Sequence, residues 1–334
     1  MGTVVSAGVS FVWLELTGRC QLECVHCYAS SGPSGTHGAM TVVDWRRVIE
    51  ESAGLGVGMV QFIGGEPTLH PDLLELVDCA LAVGVQVEVF SNLVHVTSAM
   101  WESFARPGVR LACSYYSDDA GQHAAVTSRA GSHARTRANI AEAVRRSIPL
   151  RVGVIDLGGG QRADQAVAEL EALGVTEVGY DRLRQVGRGV RDQAASMDQL
   201  CGHCARDVLA VAADGAVWPC VFSRWLPVGN VKVTSLAEIV VGTAVREVRD
   251  ELTAHFTAGG ESEMAAECNP DCNPQCNPCH PRCQPGCHPN CNPACQPTCS
   301  PTCSPTCQPI ECNPRACWPP FSHADEEMTV APGH

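Results

Sequence analysis

The stretch VSFVWLELTGRCQLECVHCY, residues 9–28, joins an apolar run to three closely spaced cysteines. The run at 9–17 is rich in β-branched and aromatic residues, which favours a buried strand. Cys20, Cys24 and Cys27 follow with the spacing CxxxCxxC, at the strand end where parallel β/α folds place their functional sites. Three thiolates can bind three irons of a 4Fe-4S cluster, and without a fourth protein ligand one iron stays open to a small molecule. The alternative interpretation is a zinc site or a chance grouping.

Apolar runs like the first recur up to about residue 181, at intervals of roughly 30 residues, the period of a strand, a crossover helix and a return strand. Amphipathic stretches fill the intervals. The stretch at 42–55 begins at the capping box Thr41–Asp44, and the stretch at 71–83 begins with a proline. Six strand–helix units predict an α/β fold, with a partial (βα)6 barrel of the TIM type over residues 1–195. The predicted strands are 9–17, 59–63, 85–90, 109–115, 150–157 and 175–180.

A different pattern occupies residues 196–257. Strands predicted at 208–212 and 217–221 flank the dipeptide Asp214–Gly215, and this arrangement is typical of a β-hairpin. A short helix is predicted at 235–252. We therefore expect a second, small hairpin and helix domain after the barrel.

The last part of the chain, residues 258–334, is a low-complexity tail rich in cysteine and proline. From Cys268 onward it repeats the four-residue unit Cys-polar-Pro-any, with a few irregular units. A proline in every unit removes a backbone donor and restricts the residue before it, so neither a helix nor a central strand can form. We expect an irregular tail that holds a shape only through its sulfurs.

The chain contains 21 cysteines, of which 13 lie between Cys268 and Cys317. The count is odd and the first residues do not resemble a secretion signal, which favours a reducing, cytoplasmic location. In such a compartment clustered cysteines serve metals or catalysis more often than disulfides. The net charge of −13 disfavours nucleic-acid or acidic-membrane partners. No apolar run approaches the roughly 20 residues of a membrane helix.

The cysteine motif resembles that of the radical SAM superfamily when it is taken together with GGEP at the end of the second predicted strand. His26 stands where the family usually has an aromatic residue, and Tyr28 follows the last cysteine. The resemblance implies that the open iron chelates S-adenosylmethionine (SAM). It also implies that one electron cleaves SAM to a 5′-deoxyadenosyl radical, which abstracts hydrogen from a substrate. The residues implied in SAM contacts at GGEP are Gly64, Gly65, Glu66 and Pro67.

Further SAM contacts are implied by resemblance at the ends of the third and fourth strands. Ser91 and Asn92 are similar to the family's ribose contact, and Ser114 to its carboxylate contact. Cys113, beside Ser114, is a candidate hydrogen-atom donor if it points into the barrel, although a buried, inert cysteine is the commoner case.

One family motif is missing. Where relatives often carry HDxxRG, this sequence reads HAAVTS at 123–128. The Asp and Arg of the motif are absent, and Thr127 stands in place of the arginine. Arg129 and Arg135 are the candidates to replace its contact with SAM.

The hairpin region resembles a SPASM domain, a family that binds auxiliary iron–sulfur clusters. The opening pattern of the family is matched by Cys204, Gly215 and Cys220, which are separated by ten and four residues. The second half of the pattern is only approximated. Cys276 and Cys279 form CxxC, but the next cysteine follows after three residues and not five. CGHC at 201–204 also matches a thioredoxin-type motif, which would require a helix directly after it. The candidate auxiliary ligands are Cys201, Cys204, Cys220, Cys268, Cys272, Cys276, Cys279 and Cys283.

The two resemblances together imply a radical SAM enzyme that crosslinks or oxidises a peptide or protein substrate, with a reducing partner such as flavodoxin or ferredoxin. A small-molecule substrate is the alternative within the same chemistry. A separate hypothesis is a metal-binding or electron-transfer protein whose thirteen tail thiolates behave like a metallothionein. That hypothesis leaves CxxxCxxC and GGEP unexplained. A third possibility is that the tail is a fused peptide substrate modified by the same chain.

Overall fold

A computed structural model of the chain describes residues 8–192, 194–202 and 204–258. The strands are β1 Phe11–Thr17, β2 Met59–Gly64, β3 Gln86–Phe90, β4 Val109–Tyr115, β5 Leu150–Asp156, β6 Glu177–Arg182, β7 Val208–Val211, β8 Ala216–Trp218 and β9 Gly229–Asn230. The helices are α1 Val42–Gly54, α2 Leu73–Ala82, α3 Ser98–Phe104, α4 Ala120–Thr127, α5 Ser132–Arg145, α6 Ala163–Ala172, α7 Leu236–Val241 and α8 Thr243–Ala258. The predicted tail at 258–334 lies almost entirely outside the described residues.

Six parallel strands form the main part of one sheet, in the order β6-β5-β4-β3-β2-β1, with helices between successive strands. All six lie where the apolar runs predict them, with ends that differ by at most a few residues. The sheet does not close between its outer described strands, β6 and β9. The predicted α/β class and partial barrel are therefore confirmed, and the capping box of α1 is present at Thr41 and Asp44.

The hairpin of β7 and β8 continues the barrel sheet. β7 pairs in parallel with the free edge of β1, with Phe11 opposite Val208 and Leu14 opposite Val211. All seven residues of β1 are buried, because the strand has neighbours on both edges and side chains packed on both faces. The predicted helix at 235–252 is in fact two helices, because Gly242 adopts an extended conformation (ψ 162°) between α7 and α8.

The two faces of the sheet have different surroundings. Alternate side chains such as Val12 and Leu14 pack under the helices, against residues that include Trp45. We call the opposite side the inner face. On it, Phe11 and Trp13 pack with side chains of the hairpin region. Within the described part of the chain, no helix is long and apolar enough to cross a membrane.

Candidate metal and cofactor site

The three-cysteine loop begins directly after β1. The Cys20 amide donates to the Gly32 carbonyl oxygen (3.0 Å), which closes the loop at its base. Farther along, the Val25 amide donates to Val126 O (2.9 Å), near the end of α4. Cys20 is buried and Cys24 and Cys27 are partly buried, and all three are free thiols. The loop thus presents three sulfurs at the carboxyl end of the first strand.

Hydrogen-bond donors surround the first sulfur. The Leu22 amide lies 3.4 Å and the Asn92 side-chain amide 3.7 Å from Cys20 Sγ. Burial, with a further contribution from Glu66, raises the pKa of Cys20 to about 12. Burial and the neighbouring Cys27 raise the pKa of Cys24 to about 12. Without a metal, both shifts favour the protonated forms of Cys20 and Cys24.

The donor set fits an iron–sulfur cluster. Among the described residues, no three His, Cys, Asp or Glu side chains converge tightly enough to hold a single metal ion. A 4Fe-4S cluster binds each thiolate through a different iron and so does not need the sulfurs to meet at one point. Three free thiols on one short loop, with amide donors beside the first, suit such a cluster.

GGEP packs directly against the base of the cysteine loop. The Gly65 amide donates to Thr17 O (2.6 Å) and the Glu66 amide to Arg19 O (2.8 Å). A Cβ on Gly64 would lie 2.5 Å from Thr17 O, and one on Gly65 would lie 2.3 Å from Arg19 O. Gly64 also has φ +135°, which side-chain-bearing residues rarely adopt. The glycines thus allow β2 to end against the residue that precedes Cys20.

This contact predicts that Gly65→Ala will lower iron binding by the cysteine loop. The added methyl group would push the Arg19 carbonyl and, with it, Cys20. Gly54→Ala is the matched control, because a Cβ there meets nothing within 4 Å. We expect Gly65→Ala to lose at least about half of the loop's iron after anaerobic reconstitution, as a small displacement of a supporting group costs affinity. Equal iron in the two variants would contradict the packing role.

The Glu66 side chain joins the ends of β2 and β3. Its carboxylate is fully buried and accepts hydrogen bonds from the Thr68 amide (3.0 Å) and hydroxyl (2.6 Å), the Ser91 hydroxyl (2.8 Å) and the Asn92 amide (2.8 Å). Burial raises the pKa of Glu66, and these donors oppose the shift. Ser91 is itself fully buried. Both side chains therefore have protein partners, and their part in binding SAM stays a prediction.

Asn92 links the end of β3 to the cysteine loop. Its side-chain oxygen accepts from Gln21 Nε2 (3.0 Å), and its side-chain nitrogen donates to Gln21 Oε1 (3.3 Å). The same nitrogen lies 3.7 Å from Cys20 Sγ, so Asn92 contacts the first cysteine, and its predicted part in binding SAM stays a prediction. Pro67 is buried and begins a short 3-10 turn at Pro67–Leu69.

The two candidate residues of β4, Cys113 and Ser114, point to opposite faces of the sheet. Ser114 is partly exposed on the inner face, as the predicted SAM contact requires. Cys113 points the other way and is fully buried in the core beneath the helices. The prediction that Cys113 donates a hydrogen atom requires its side chain to lie on the inner face. Because side chains alternate between the faces of a strand, Cys113 points to the helix side instead, and this orientation contradicts the prediction. Arg129 and Arg135, the proposed substitutes for the missing motif arginine, are both exposed.

His26 and Tyr28 contact different aromatic partners. The His26 ring makes an edge contact with Tyr116 (5.0 Å between centroids). Burial, with Arg191 and Arg188 nearby, lowers its pKa to about 4, so it behaves as a neutral aromatic side chain. Tyr28 makes an edge contact with Phe222 (5.3 Å), on the hairpin side of the inner face.

A second group of cysteines lies beside the hairpin. Cys204 and Cys220 are buried, with their sulfurs 3.0 Å apart, as expected from their places at the two ends of the hairpin. The Cys201 and Cys220 thiols, together with burial, raise the pKa of Cys204. No helix begins directly after CGHC, because β7 follows, so the thioredoxin alternative lacks its required context. The other candidate ligands, from Cys268 to Cys283, lie outside the described residues.

The sequence pattern did not reveal an ion pair that joins β1 to the hairpin region. The buried Glu15 carboxylate accepts from Arg224 NH1 at 2.7 Å through both oxygens, and the Arg224 guanidinium lies 4.3 Å from the centre of the Trp218 ring. Burial raises the pKa of Glu15, which Arg224 opposes. A cavity of about 200 Å³ adjoins these side chains and Thr17 and Gly64. One acidic residue inside the apolar run FVWLELT was the only sequence signal for this pair.

Fold and site together define an iron–sulfur enzyme built on a partial β/α barrel. The family model described as the Radical SAM superfamily matches residues 14–173, and the SPASM model, described as an iron–sulfur cluster-binding domain, matches residues 184–280. The chain therefore carries a radical SAM domain followed by a SPASM domain. These domains imply a SAM-ligating 4Fe-4S cluster, SAM itself and an auxiliary iron–sulfur cluster.

Curated relatives match over somewhat more than half of the chain. A protein of Rhodopseudomonas palustris named PqqA peptide cyclase is 29% identical over 192 residues, which are 57% of this chain and 51% of that protein. A protein of the same name from Xanthomonas campestris pv. campestris is 29% identical over 190 residues, 56% of this chain and 50% of its own length. The chain therefore spans about half the length of the curated relatives it matches.

Solved structures share the fold. Streptococcus suis SuiB bound to S-adenosylmethionine has a TM-score of 0.60 at 12% identity, covering 73% of this chain and 68% of SuiB. Native anSMEcpe with bound AdoMet has a TM-score of 0.54 at 11% identity, covering 72% of this chain and 82% of that protein. At these identities the likeness concerns the fold alone.

Proposed function

We propose that this protein reductively cleaves SAM and uses the resulting radical to abstract hydrogen from a peptide or protein, leading to a crosslinked or oxidised residue. The observation that carries the proposal is a contact on the inner face that joins the three-cysteine loop to the hairpin cysteines. Tyr28, next to Cys27, packs on Phe222, two residues after Cys220. A substrate on this face would lie between the two groups.

Cys20, Cys24 and Cys27 would hold the SAM-cleaving cluster. When bound, that cluster supplies the electron that splits SAM into methionine and a 5′-deoxyadenosyl radical. The protein contributes amide donors from Leu22 and Asn92, which stabilise negative charge on the first sulfur. Backbone groups at the end of β2, the Asn92 side chain and the Ser114 hydroxyl would orient SAM.

Cys201, Cys204 and Cys220, together with cysteines from the start of the tail, would hold an auxiliary cluster. Cys204 and Cys220 supply two close, buried thiols, and further ligands must come from elsewhere. The SPASM match runs to residue 280, which includes four of the tail candidates. These are Cys268, Cys272, Cys276 and Cys279.

A peptide substrate is supported by the names of similar proteins. The curated relatives are named PqqA peptide cyclase, and SuiB has been solved bound to its precursor peptide SuiA, with a TM-score of 0.61 to this chain. We extend these properties to this chain as part of the proposal. A one-electron donor such as flavodoxin or ferredoxin would serve as the reducing partner, and the many free thiols suit a reducing, cytoplasmic location.

Deuterium transfer tests the substrate class. We would prepare an extract of a fully deuterated culture of the source organism and separate its peptides from its small molecules. Each fraction would be incubated with reconstituted, unlabelled protein, SAM and dithionite. Hydrogen abstraction by the radical places substrate deuterium in 5′-deoxyadenosine, so mass spectrometry should find deuterium with the peptide fraction only. Deuterium from the small-molecule fraction alone would contradict a peptide substrate.

The same experiment distinguishes a separate peptide substrate from a substrate that is the fused tail. If the tail were the substrate, neither fraction would be needed for its modification, and 5′-deoxyadenosine would carry no deuterium in either incubation. Peptides from the tail would then show a loss of hydrogen mass. Metal adducts on the tail, with no 5′-deoxyadenosine under any condition, would instead support the metal-storage hypothesis.

A further inference from the structure

Arg188 makes three hydrogen bonds to the backbone of the cysteine loop. Its amide donates to Cys27 O (3.0 Å), its Nε to Cys24 O (2.9 Å) and its NH2 to Ser31 O (2.6 Å). Arg188 lies in a short 3-10 turn, Gly187–Gly189, that follows β6. One side chain thus bonds two carbonyl groups that are seven residues apart in the loop.

Glycines on either side of Arg188 allow this close approach. Gly187 has φ +58°, and a Cβ there would lie 2.2 Å from Tyr28 O. A Cβ on Gly189 would lie 2.4 Å from Arg184 O and 3.3 Å from His26 O. The backbone of the turn therefore rests directly on the backbone of the loop, with no room for side chains between them.

The part of the loop that Arg188 contacts has few other fixed points. The Val25 amide donates to Val126 O, outside the segment (2.9 Å), whereas the Cys27 and Ser30 amides donate within it, to Cys24 O (3.2 Å) and Cys27 O (3.1 Å). Ser30 also adopts a left-handed conformation (φ 52°), which is uncommon for a non-glycine residue and is stabilised by the surrounding contacts. A guanidinium fork can impose such a shape, because it bonds two acceptors in a fixed relative orientation.

We infer that Arg188 is a positioning residue for the iron–sulfur loop: it fixes the backbone from Cys24 to Ser31 so that the second and third cysteines are held ready for iron. The inference rests on the proposed role of Cys24 and Cys27 as ligands. Because residue 188 lies within the segment that matches the SPASM family, this contact also joins the auxiliary region to the SAM site. A displacement of the turn Gly187–Gly189 would therefore also displace the cysteine loop.

Arg191 provides a matched control. It is an exposed arginine three residues farther on, and within the described part of the chain its NH1 donates to carbonyl oxygens of its own neighbourhood, Arg188 O (3.0 Å) and Val190 O (3.2 Å). Arg191→Gln removes the same charge from the same surface without removing a bond to the loop. A charge effect alone would therefore appear in both variants, whereas positioning of the loop would appear only at Arg188.

Hydrogen–deuterium exchange on the full-length, metal-free protein tests the positioning directly. Arg188→Gln should speed exchange in peptides covering residues 24–31 by about tenfold, since two charge-assisted hydrogen bonds are lost. Arg191→Gln should leave these peptides within about twofold of the original protein. Arg188→Lys retains the charge but cannot form the fork, so it should resemble Arg188→Gln. Peptides from β2 and β3 report in the same experiment whether each variant is folded.

Unchanged exchange at 24–31 in folded Arg188→Gln would overturn the inference, as would full protection in Arg188→Lys. Iron retention gives a second readout: after reconstitution, the loop's iron should be lost to a chelator about tenfold faster in Arg188→Gln than in Arg191→Gln. The iron-retention measurement distinguishes failure of the inference about Arg188 from failure of the proposed function. Faster exchange without faster iron loss would refute the ligand role of the loop, and with it the purpose we assign to Arg188. Absence of 5′-deoxyadenosine from a protein that shows both effects would refute only the proposed reaction.

Discussion

Alanine in place of Cys20, Cys24 and Cys27 should reduce the formation of 5′-deoxyadenosine to the background of protein-free buffer. These three residues combine the ligand spacing with a position at the carboxyl end of β1, and Cys20 lies beside the GGEP turn. The triple variant should still contain auxiliary iron, because Cys204 and Cys220 lie apart in sequence and have their own buried surroundings. Chromatographic measurement of 5′-deoxyadenosine and colorimetric iron counting would provide the two numbers.

Cys79→Ala is the matched control for this variant. Cys79 is a partly buried free cysteine of α2 that packs against the core beneath the helices. Its replacement removes a thiol without touching either cysteine group, so SAM cleavage should stay within about twofold of the original protein. Undiminished SAM cleavage by the triple variant would show that the cluster is held elsewhere.

The second large effect concerns the auxiliary site. Replacing Cys204 and Cys220 together by alanine should remove the auxiliary iron and abolish the modified peptide, while SAM is still cleaved. The reason is that the two thiols are the close, buried pair around which further ligands must assemble. Iron counting and product mass spectrometry would measure the loss. Full auxiliary iron in the double variant would refute the assignment.

A chain that ends after Cys287 tests which part of the tail belongs to this site. It retains the candidate ligands from Cys268 to Cys283 and should keep both its auxiliary iron and its 5′-deoxyadenosine yield. The later repeat units are uniform and contain almost no apolar residues, so they cannot offset their ordering entropy without bound metal. Loss of both iron and 5′-deoxyadenosine in the truncated chain would instead make the later repeats part of the cluster scaffold.

The barrel could be predicted because its signals are local. β1 and β2 are largely buried on both faces and therefore appear in the sequence as mainly apolar runs, and the start of α1 is marked by the capping box of Thr41 and Asp44. The cysteine motif can likewise be found from the sequence, because its three cysteines lie within eight residues. The hairpin of β7 and β8 was also predicted, but its pairing with β1 was not, because the edge that a strand will occupy depends on contacts about 200 residues away in the sequence.

The rest of the site depends on side-chain direction and long-range contacts. Cys113 was placed on the correct strand, but only the register of β4 shows that it faces the helices. Arg188 and Arg224 were not singled out, since an arginine between glycines or after a hairpin is common on protein surfaces. Their partners, the loop carbonyl groups and the carboxylate of Glu15, lie far away in sequence and are defined only by the folded sheet.

The central claim is that this chain cleaves SAM reductively at a cluster held by the loop after β1. The most direct test is the quantity of 5′-deoxyadenosine formed by the full-length protein after anaerobic reconstitution with iron and sulfide. We expect 5′-deoxyadenosine and methionine to appear in equal amounts, and only when SAM and a strong reductant are both present. A reconstituted protein that holds iron on Cys20, Cys24 and Cys27 but forms no 5′-deoxyadenosine under these conditions would contradict the claim.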